Sequence, residues 1–297
     1  MQTLPLGQFT VGRVGFGAMQ LPGPGVFGPP RDHAQAIDVL RRAIELGVNH
    51  IDTSQYYGPF VSNELIREAL HPYPANLALV SKVGARRDEA GGWLPAQEPD
   101  DLRAGIEDNL RTLGVDRLAA VNLRNIDADD PKSVGLVNHD RFDRQLSAMI
   151  KARDEGLIAG IGLSGISLDH LRIALDRTEI VCVQNAYNLV DRTSQPVLNA
   201  CVQQGIAFVP FFPLGSSFTA DNPVLGHPAI QREAAKRGHT PAQIALAWTL
   251  SVAPNVLLIP GTSSVQHLEE NMAAVDVELD DDTVQELNDA LAPSRRE

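Results

Sequence analysis

The chain is poor in sulfur, in aromatic rings and in positive charge. Two cysteines, Cys182 and Cys201, occur in 297 residues, and neither has a partner at metal-ligand spacing. A metal cluster and a disulfide framework are therefore not expected; both thiols sit in apolar runs and read as reduced core residues of a reducing compartment. No apolar run reaches the roughly 18 residues needed to span a bilayer. Met1 to Val11 lacks the basic start and apolar core of a secretory leader. A cytoplasmic protein with no membrane partner is the expectation. Lysine and arginine number 25 against 37 aspartate and glutamate, a net charge of -12. That charge repels nucleic acid, which is not expected as a partner. The dense basic pairs Arg41-Arg42, Arg86-Arg87 and Arg295-Arg296 are too short to reverse it, and read as solvated faces and a tail.

What is present is a rhythm. Apolar runs near Val14, Val48, Leu77, Leu118, Ile158, Ile180, Ile206 and Val256 alternate with stretches of helical spacing. Asp32 is placed to cap the first helix and Gly47 to stop it; Ser62 is placed to cap the second, and Asp100 or Asp101 the third. The runs are short and continuously apolar, as strands buried on both faces are. Eight such units predict a single α/β domain over 1–297, a (β/α)8 barrel. A short hairpin over residues 1–12 precedes it and a helical extension follows. The runner-up is a doubly wound open sheet. It needs a helix after Gly15-Phe16-Gly17-Ala18, and a loop with four prolines and three glycines, Leu21 to Pro30, stands there instead.

Barrel chemistry gathers where the strands end. The candidates there are Met19, Asp52, Tyr57, Lys82, Arg124, Ser164, Gln184, Phe211 and Ser216. Asp52, Tyr57 and Lys82 have a joint use: the ammonium lowers the phenol's proton affinity, the carboxylate keeps the ammonium charged, and the phenol becomes a proton donor. The same residue types also suit a buried ion pair beside a core tyrosine.

Nearly the whole chain resembles the aldo-keto reductases. The segments that carry the resemblance are Gly15 to Met19, Ile51-Asp52-Thr53-Ser54 with Tyr56-Tyr57-Gly58, Ser81-Lys82-Val83, Gly162-Leu163-Ser164, Val183-Gln184-Asn185, Pro213-Leu214-Gly215, and Ile259 to Thr262 with Glu270-Asn271. The resemblance implies hydride transfer from a nicotinamide cofactor to a carbonyl. Tyr57 would give the proton, Lys82 would lower its pKa and Asp52 would pair with Lys82. Ser164 and Gln184 would meet the nicotinamide carboxamide, and Phe211 would stack on its ring. Gly17 and Met19 would add cofactor contacts, Leu214 and Ser216 would follow the pyrophosphate, and Thr262, His267, Glu270 and Asn271 would hold the adenosine end. No metal is implied.

Two positions depart from the family pattern. Arg124 stands where a histidine is usual. A guanidinium cannot release its proton, so it is assigned an orienting or oxyanion-stabilising role. After Ile259-Pro260 the run Gly261-Thr262-Ser263-Ser264 lacks the lysine or arginine common in NADPH-preferring members. NADPH is expected from family habit, with NADH possible. Phe27-Gly28-Pro29-Pro30-Arg31 and Val121 to Arg124 resemble a bacterial branch of the family with pyridoxal reductase activity. Phe27, Gln55, Trp93 and Phe212 would then wall the substrate, a small carbonyl compound. A broad aldehyde reductase, a sugar or alcohol dehydrogenase, and a cofactor-sensing subunit with little turnover are the alternatives.

Overall fold

A computed structural model describes residues 2–125, 138–215 and 222–291. In chain order its strands are β1 (Thr3–Leu6), β2 (Phe9–Gly12), β3 (Phe16–Gly17), β4 (His50–Asp52), β5 (Ala78–Val83), β6 (Ala85–Arg87), β7 (Trp93–Pro95), β8 (Ala120–Arg124), β9 (Ile161–Ser164), β10 (Cys182–Gln184) and β11 (Ala207–Phe208). Seven of them form one parallel sheet in the order β3-β4-β5-β8-β9-β10-β11. Two antiparallel hairpins, β1–β2 and β6–β7, stand outside it.

The sheet closes through residues 256–259. Phe208 bridges Val256 and Val14 bridges Leu258, both in parallel sense. Leu257 N donates to Phe208 O at 2.9 Å, while Leu258 N donates to Arg13 O and Gly15 N to Leu258 O, both at 2.8 Å. The runs expected near Val14 and Val256 thus close the barrel as single-residue bridges rather than as full strands. The doubly wound alternative is overturned by this closure.

The pleat sorts the residues. Alternate positions of a strand face opposite sides, so Leu79, Val121, Leu123, Ile161, Leu163 and Val183 join the layer shared with the helices. Ala78, Val80, Ala120, Cys182 and Ala207 cluster inside with Leu6 and Val11 of the first hairpin. Because these inner residues lie at or near the strand starts, the hairpin, expected over residues 1–12, plugs that end of the barrel. Continuing up the same inward rows, the side chains turn polar: Asp52, Lys82, Arg124, Ser164 and Gln184. One end is filled with small apolar groups and the other is left for chemistry.

The helices follow the expected rhythm, with differences at their starts. Asp32 Oδ1 accepts from Gln35 N at 3.0 Å and caps His33–Glu45 as expected. Ser62 does not cap Val61–Leu70. Phe60 precedes that helix in a left-handed conformation (φ 66°), and the buried Ser62 hydroxyl donates to Ala18 O at 3.0 Å. The helix Pro99–Leu113 starts earlier than expected, with Glu98 and Asp101 forming a reciprocal capping box. The hairpin β6–β7 has no counterpart among the expected elements.

Candidate active site

Asp52 ends β4 and Lys82 is the penultimate residue of β5, and the two form a buried ion pair between Asp52 Oδ1 and Lys82 Nζ. The ammonium also donates to Thr53 O at 3.1 Å. The second carboxylate oxygen, Oδ2, accepts from Gln184 Nε2 at 2.6 Å. Three strand ends are therefore tied through one carboxylate. Burying the pair is tolerable because each charge has both its opposite and a further hydrogen bond.

Tyr57 lies in the turn after β4, buried, with Lys82 Nζ 5.0 Å from its ring centroid. Burial raises its pKa, the Asp52 charge raises it further, and Arg124 pulls it down. The ammonium is engaged by Asp52 and faces the ring, and Arg124 supplies a second cation near the phenol. Tyr56 sits edge-on to Tyr57 (centroids 5.3 Å) and to Trp93 (5.4 Å). Its buried hydroxyl has no partner among the described residues, and burial pushes it up to about 12.

Arg124 ends β8 and pairs in register with Ser164, the last residue of β9. Its Nη1 donates to Ser164 Oγ at 3.0 Å, and its guanidinium carbon lies 5.3 Å from the Phe211 ring centroid. It forms no ion pair among the described residues. A half-buried cation with neutral partners keeps its field available to whatever enters.

Gln184 Nε2 is committed to Asp52, which leaves Gln184 Oε1 buried without a donor among the described residues. Asn185 is structural: its side chain exchanges hydrogen bonds with Ile166 N and O. Phe211 is half-buried and edge-on to Phe212 at 5.2 Å. Met19 packs on the Tyr56–Tyr57 cluster. Gly17 has a local reason to be glycine, since a Cβ there would collide with the Ile259 carbonyl. Leu214 is half-buried beside this edge; Ser216 lies outside the described residues.

At the far end, Ser264 caps the helix Val265–Ala273, and the buried Thr262 Oγ1 accepts from Ser264 N at 3.0 Å. His267 is exposed in the first turn of that helix, Glu270 is half-buried and Asn271 is buried. Exposed amides at a helix start favour an anion.

Of the expected substrate walls, Trp93 lies on β7 and Phe27 packs over Gly91, both half-buried; Phe212 has φ 57°. Gln55 is a correction. Its Oε1 accepts from Asn109 Nδ2 at 2.8 Å, turned into the layer between barrel and helices and away from a substrate. It belongs to a buried network that sequence reading missed: Thr53 Oγ1 donates to Asn63 Oδ1 (2.8 Å), Asn63 Nδ2 to Asn109 Oδ1 (2.9 Å), and Ser81 Oγ to Asn109 Oδ1 (2.6 Å). The available signal was asparagine within buried helical rows, at positions where leucine would suffice. Arg87 is a second correction: it is no solvated residue but lies 4.1 Å from the Trp93 ring centroid. Among the described residues there is no cluster that could hold a metal and no helix long and apolar enough to cross a membrane. Cys182 and Cys201 are both free and buried.

The arrangement can be set beside known proteins. A pyridoxine 4-dehydrogenase of Escherichia coli is 48% identical over 286 residues, covering 96% of this chain and 97% of that protein. An uncharacterized oxidoreductase of Schizosaccharomyces pombe is 38% identical over 97% of this chain and 89% of its own. The crystal structure of an aldo/keto reductase from Klebsiella pneumoniae in complex with NADP and acetate superposes with a TM-score of 0.80 at 26% identity, covering 99% of this chain and 96% of that one. The aldo/keto reductase family pattern matches residues 13–292. This chain belongs to the aldo/keto reductase family.

Proposed function

We propose that this aldo/keto reductase, an NADPH-dependent oxidoreductase, reduces the aldehyde of pyridoxal to the alcohol of pyridoxine. The observation that carries the reading is the joining of Tyr57, the Asp52–Lys82 pair, Arg124 and the unpaired Gln184 Oε1 at one barrel end. The similarity to the Escherichia coli enzyme supports the choice of substrate.

The residues fit a nicotinamide. Gln184 Oε1 is a buried acceptor without a donor among the described residues, and would receive a carboxamide N–H; the Phe211 ring is half-exposed for stacking. The cofactor supplies a hydride when bound. Tyr57 holds the proton for the carbonyl oxygen, and burial and the Asp52 charge favour its protonated form. Arg124 opposes that shift, so the phenol can release its proton once negative charge develops beside it. Lys82 is fixed by Asp52 facing the Tyr57 ring, and stabilises the phenolate left behind. Ser164 orients Arg124. Thr262, His267, Glu270 and Asn271 hold the adenosine end, with the first turn of Val265–Ala273 facing phosphate; Leu214 follows the pyrophosphate. Phe27, Trp93 and Phe212 bound an aromatic substrate, and Met19 fills the space beside Tyr56 and Tyr57.

Initial rates of NADPH and NADH oxidation with pyridoxal beside simple aliphatic and aromatic aldehydes test this directly. Preference for pyridoxal with NADPH is expected. Even rates across the aldehydes would make the enzyme a generalist reductase. Tight NADPH binding without turnover of any carbonyl would leave only a cofactor sensor.

A further inference from the structure

Outside the groups used above, the most heavily built arrangement on this face is centred on Arg87. Its guanidinium carbon lies 4.1 Å from the Trp93 ring centroid and 5.3 Å from that of Phe27. Nη1 donates to Val26 O at 3.0 Å and Nη2 to Gly25 O at 3.0 Å, on the loop after β3. Nε and Nη2 donate to Gly91 O at 3.0 and 2.7 Å, in the turn between β6 and β7. One side chain thus joins two segments that are far apart in sequence, and touches an aromatic ring from each.

The loop it holds is strained. Val26 has φ 60°, a conformation that β-branched residues rarely adopt. Such strain persists where surroundings over-determine it, and gathers at ligand clamps. Here the Val26 carbonyl accepts from Arg87 Nη1 and also from Gly58 N at 3.1 Å, and Gly28 N donates to Gly58 O at 2.9 Å. Gly58 directly follows Tyr57. Arg87 is therefore coupled through one carbonyl to the backbone that carries the phenol. It has no carboxylate within ion-pair distance among the described residues. Trp93 nonetheless stays half-exposed against the Tyr56–Tyr57 cluster, and Phe27, half-exposed too, bridges Gly58 next to Tyr57. Joining two loops needs no buried charge; orienting two ring faces is what a planar cation does.

We propose that Arg87 is a positioning residue for substrate selection: it orients Phe27 and Trp93 as the aromatic walls of the substrate mouth, and so favours flat aromatic aldehydes over short aliphatic ones. The inference rests on the reading above that these two rings bound the substrate.

The test compares wild type, Arg87→Ala and Arg87→Lys with pyridine-4-carboxaldehyde and with propanal, beside NADPH affinity by fluorescence titration. For Arg87→Ala, KM for the aromatic aldehyde should rise about tenfold, while kcat, the propanal KM and the NADPH Kd stay within about twofold. Arg87→Lys keeps the charge but not the planar fork, and should lose most of the same selectivity. Equal changes in both KM values, or none, would overturn the proposal. If the alanine variant fails to bind NADPH, Trp93→Leu decides: it must reproduce the selective loss, and unchanged selectivity there also overturns it. Should wild type turn over neither aldehyde, the reductase reading fails on its own. Acrylamide quenching of tryptophan fluorescence then still reads the clasp, because Trp248 is buried and Arg87→Ala must raise the quenched fraction through Trp93; an unchanged fraction overturns the clasp itself.

Discussion

Gln184 Nε2 donates to Asp52 Oδ2 at 2.6 Å, so the residue expected to meet the cofactor amide is bonded to the residue that holds Lys82. The bond fixes which way the Gln184 amide faces and leaves its oxygen as the free acceptor. Gln184→Leu removes both ends of this link. NADPH Kd should rise about tenfold, and kcat should fall as well, because Asp52 loses a donor. Fluorescence titration and initial rates read the two effects; an unaltered Kd would confine Gln184 to buttressing Asp52.

Tyr57→Phe removes one oxygen from the site. Carbonyl reduction should drop by about 100-fold or more while NADPH affinity stays near wild type. A variant that keeps its rate would take the proton-donor role away from Tyr57.

Arg124 lowers the Tyr57 phenol against burial and the Asp52 charge, and its removal should weaken that opposition. Arg124→Gln should therefore lower kcat by about tenfold to 100-fold with little change in NADPH Kd. Arg124→Lys should restore little, since a lysine cannot reproduce the planar contact with both Ser164 and Phe211. Full recovery in the lysine variant would reduce the role to charge alone.

His50 is buried with neither ring nitrogen partnered among the described residues, and burial holds its pKa down at about 4 against an ordinary 6.5. The native state keeps the ring neutral while the unfolded chain takes up a proton, so stability falls as pH drops from about 6.5 toward about 4. The full effect of His50 is on the order of 3 kcal/mol. His170, also held at about 4, adds in the same direction. Thermal midpoints from pH 7 to pH 5, above the carboxylate range, should decline steadily; a flat midpoint would contradict the burial account.

The network on Asn109 supports the ends of β4 and β5 from outside the barrel. Asn109→Leu leaves the buried Ser81 hydroxyl without its acceptor and takes one of two partners from Gln55 Oε1 and from Asn63 Nδ2. A loss of about 2–4 kcal/mol is expected, lowering the melting temperature by about 3–6 °C. Calorimetry measures it, and a wild-type melting temperature would mean that water replaces the amide.

The barrel and the strand-end residues were legible because strands buried on both faces leave continuous apolar runs, and because Asp52, Lys82, Arg124 and Gln184 end those runs. Strand starts were read up to three residues early, since residues such as Leu118 and Ile158 pair only as an isolated bridge. Period-2 patterning within a run of valine, leucine and alanine does not say which face is inward. Ser62 was read as a cap because its chemistry suits one; the left-handed Phe60 that starts the helix carries no such signature. Gln55 and Arg87 were misread for a common reason. Their partners, Asn109 on one side and the Gly25 and Val26 carbonyls on the other, are distant in sequence, and polarity alone says nothing about what a long side chain reaches.

The barrel's seam has a consequence for how the molecule comes apart. Residues 256–259 join their neighbours through isolated bridges, and the chain running on from them leads directly into Thr262 and the helix Val265–Ala273. The staves on either side are held by longer ladders, so amide exchange should begin at this join. A dinucleotide lying from Gln184 to Asn271 would then act as a hoop: it would hold shut the one place where the cylinder opens, and the slowest-exchanging form of the protein would be the one with its coenzyme in place.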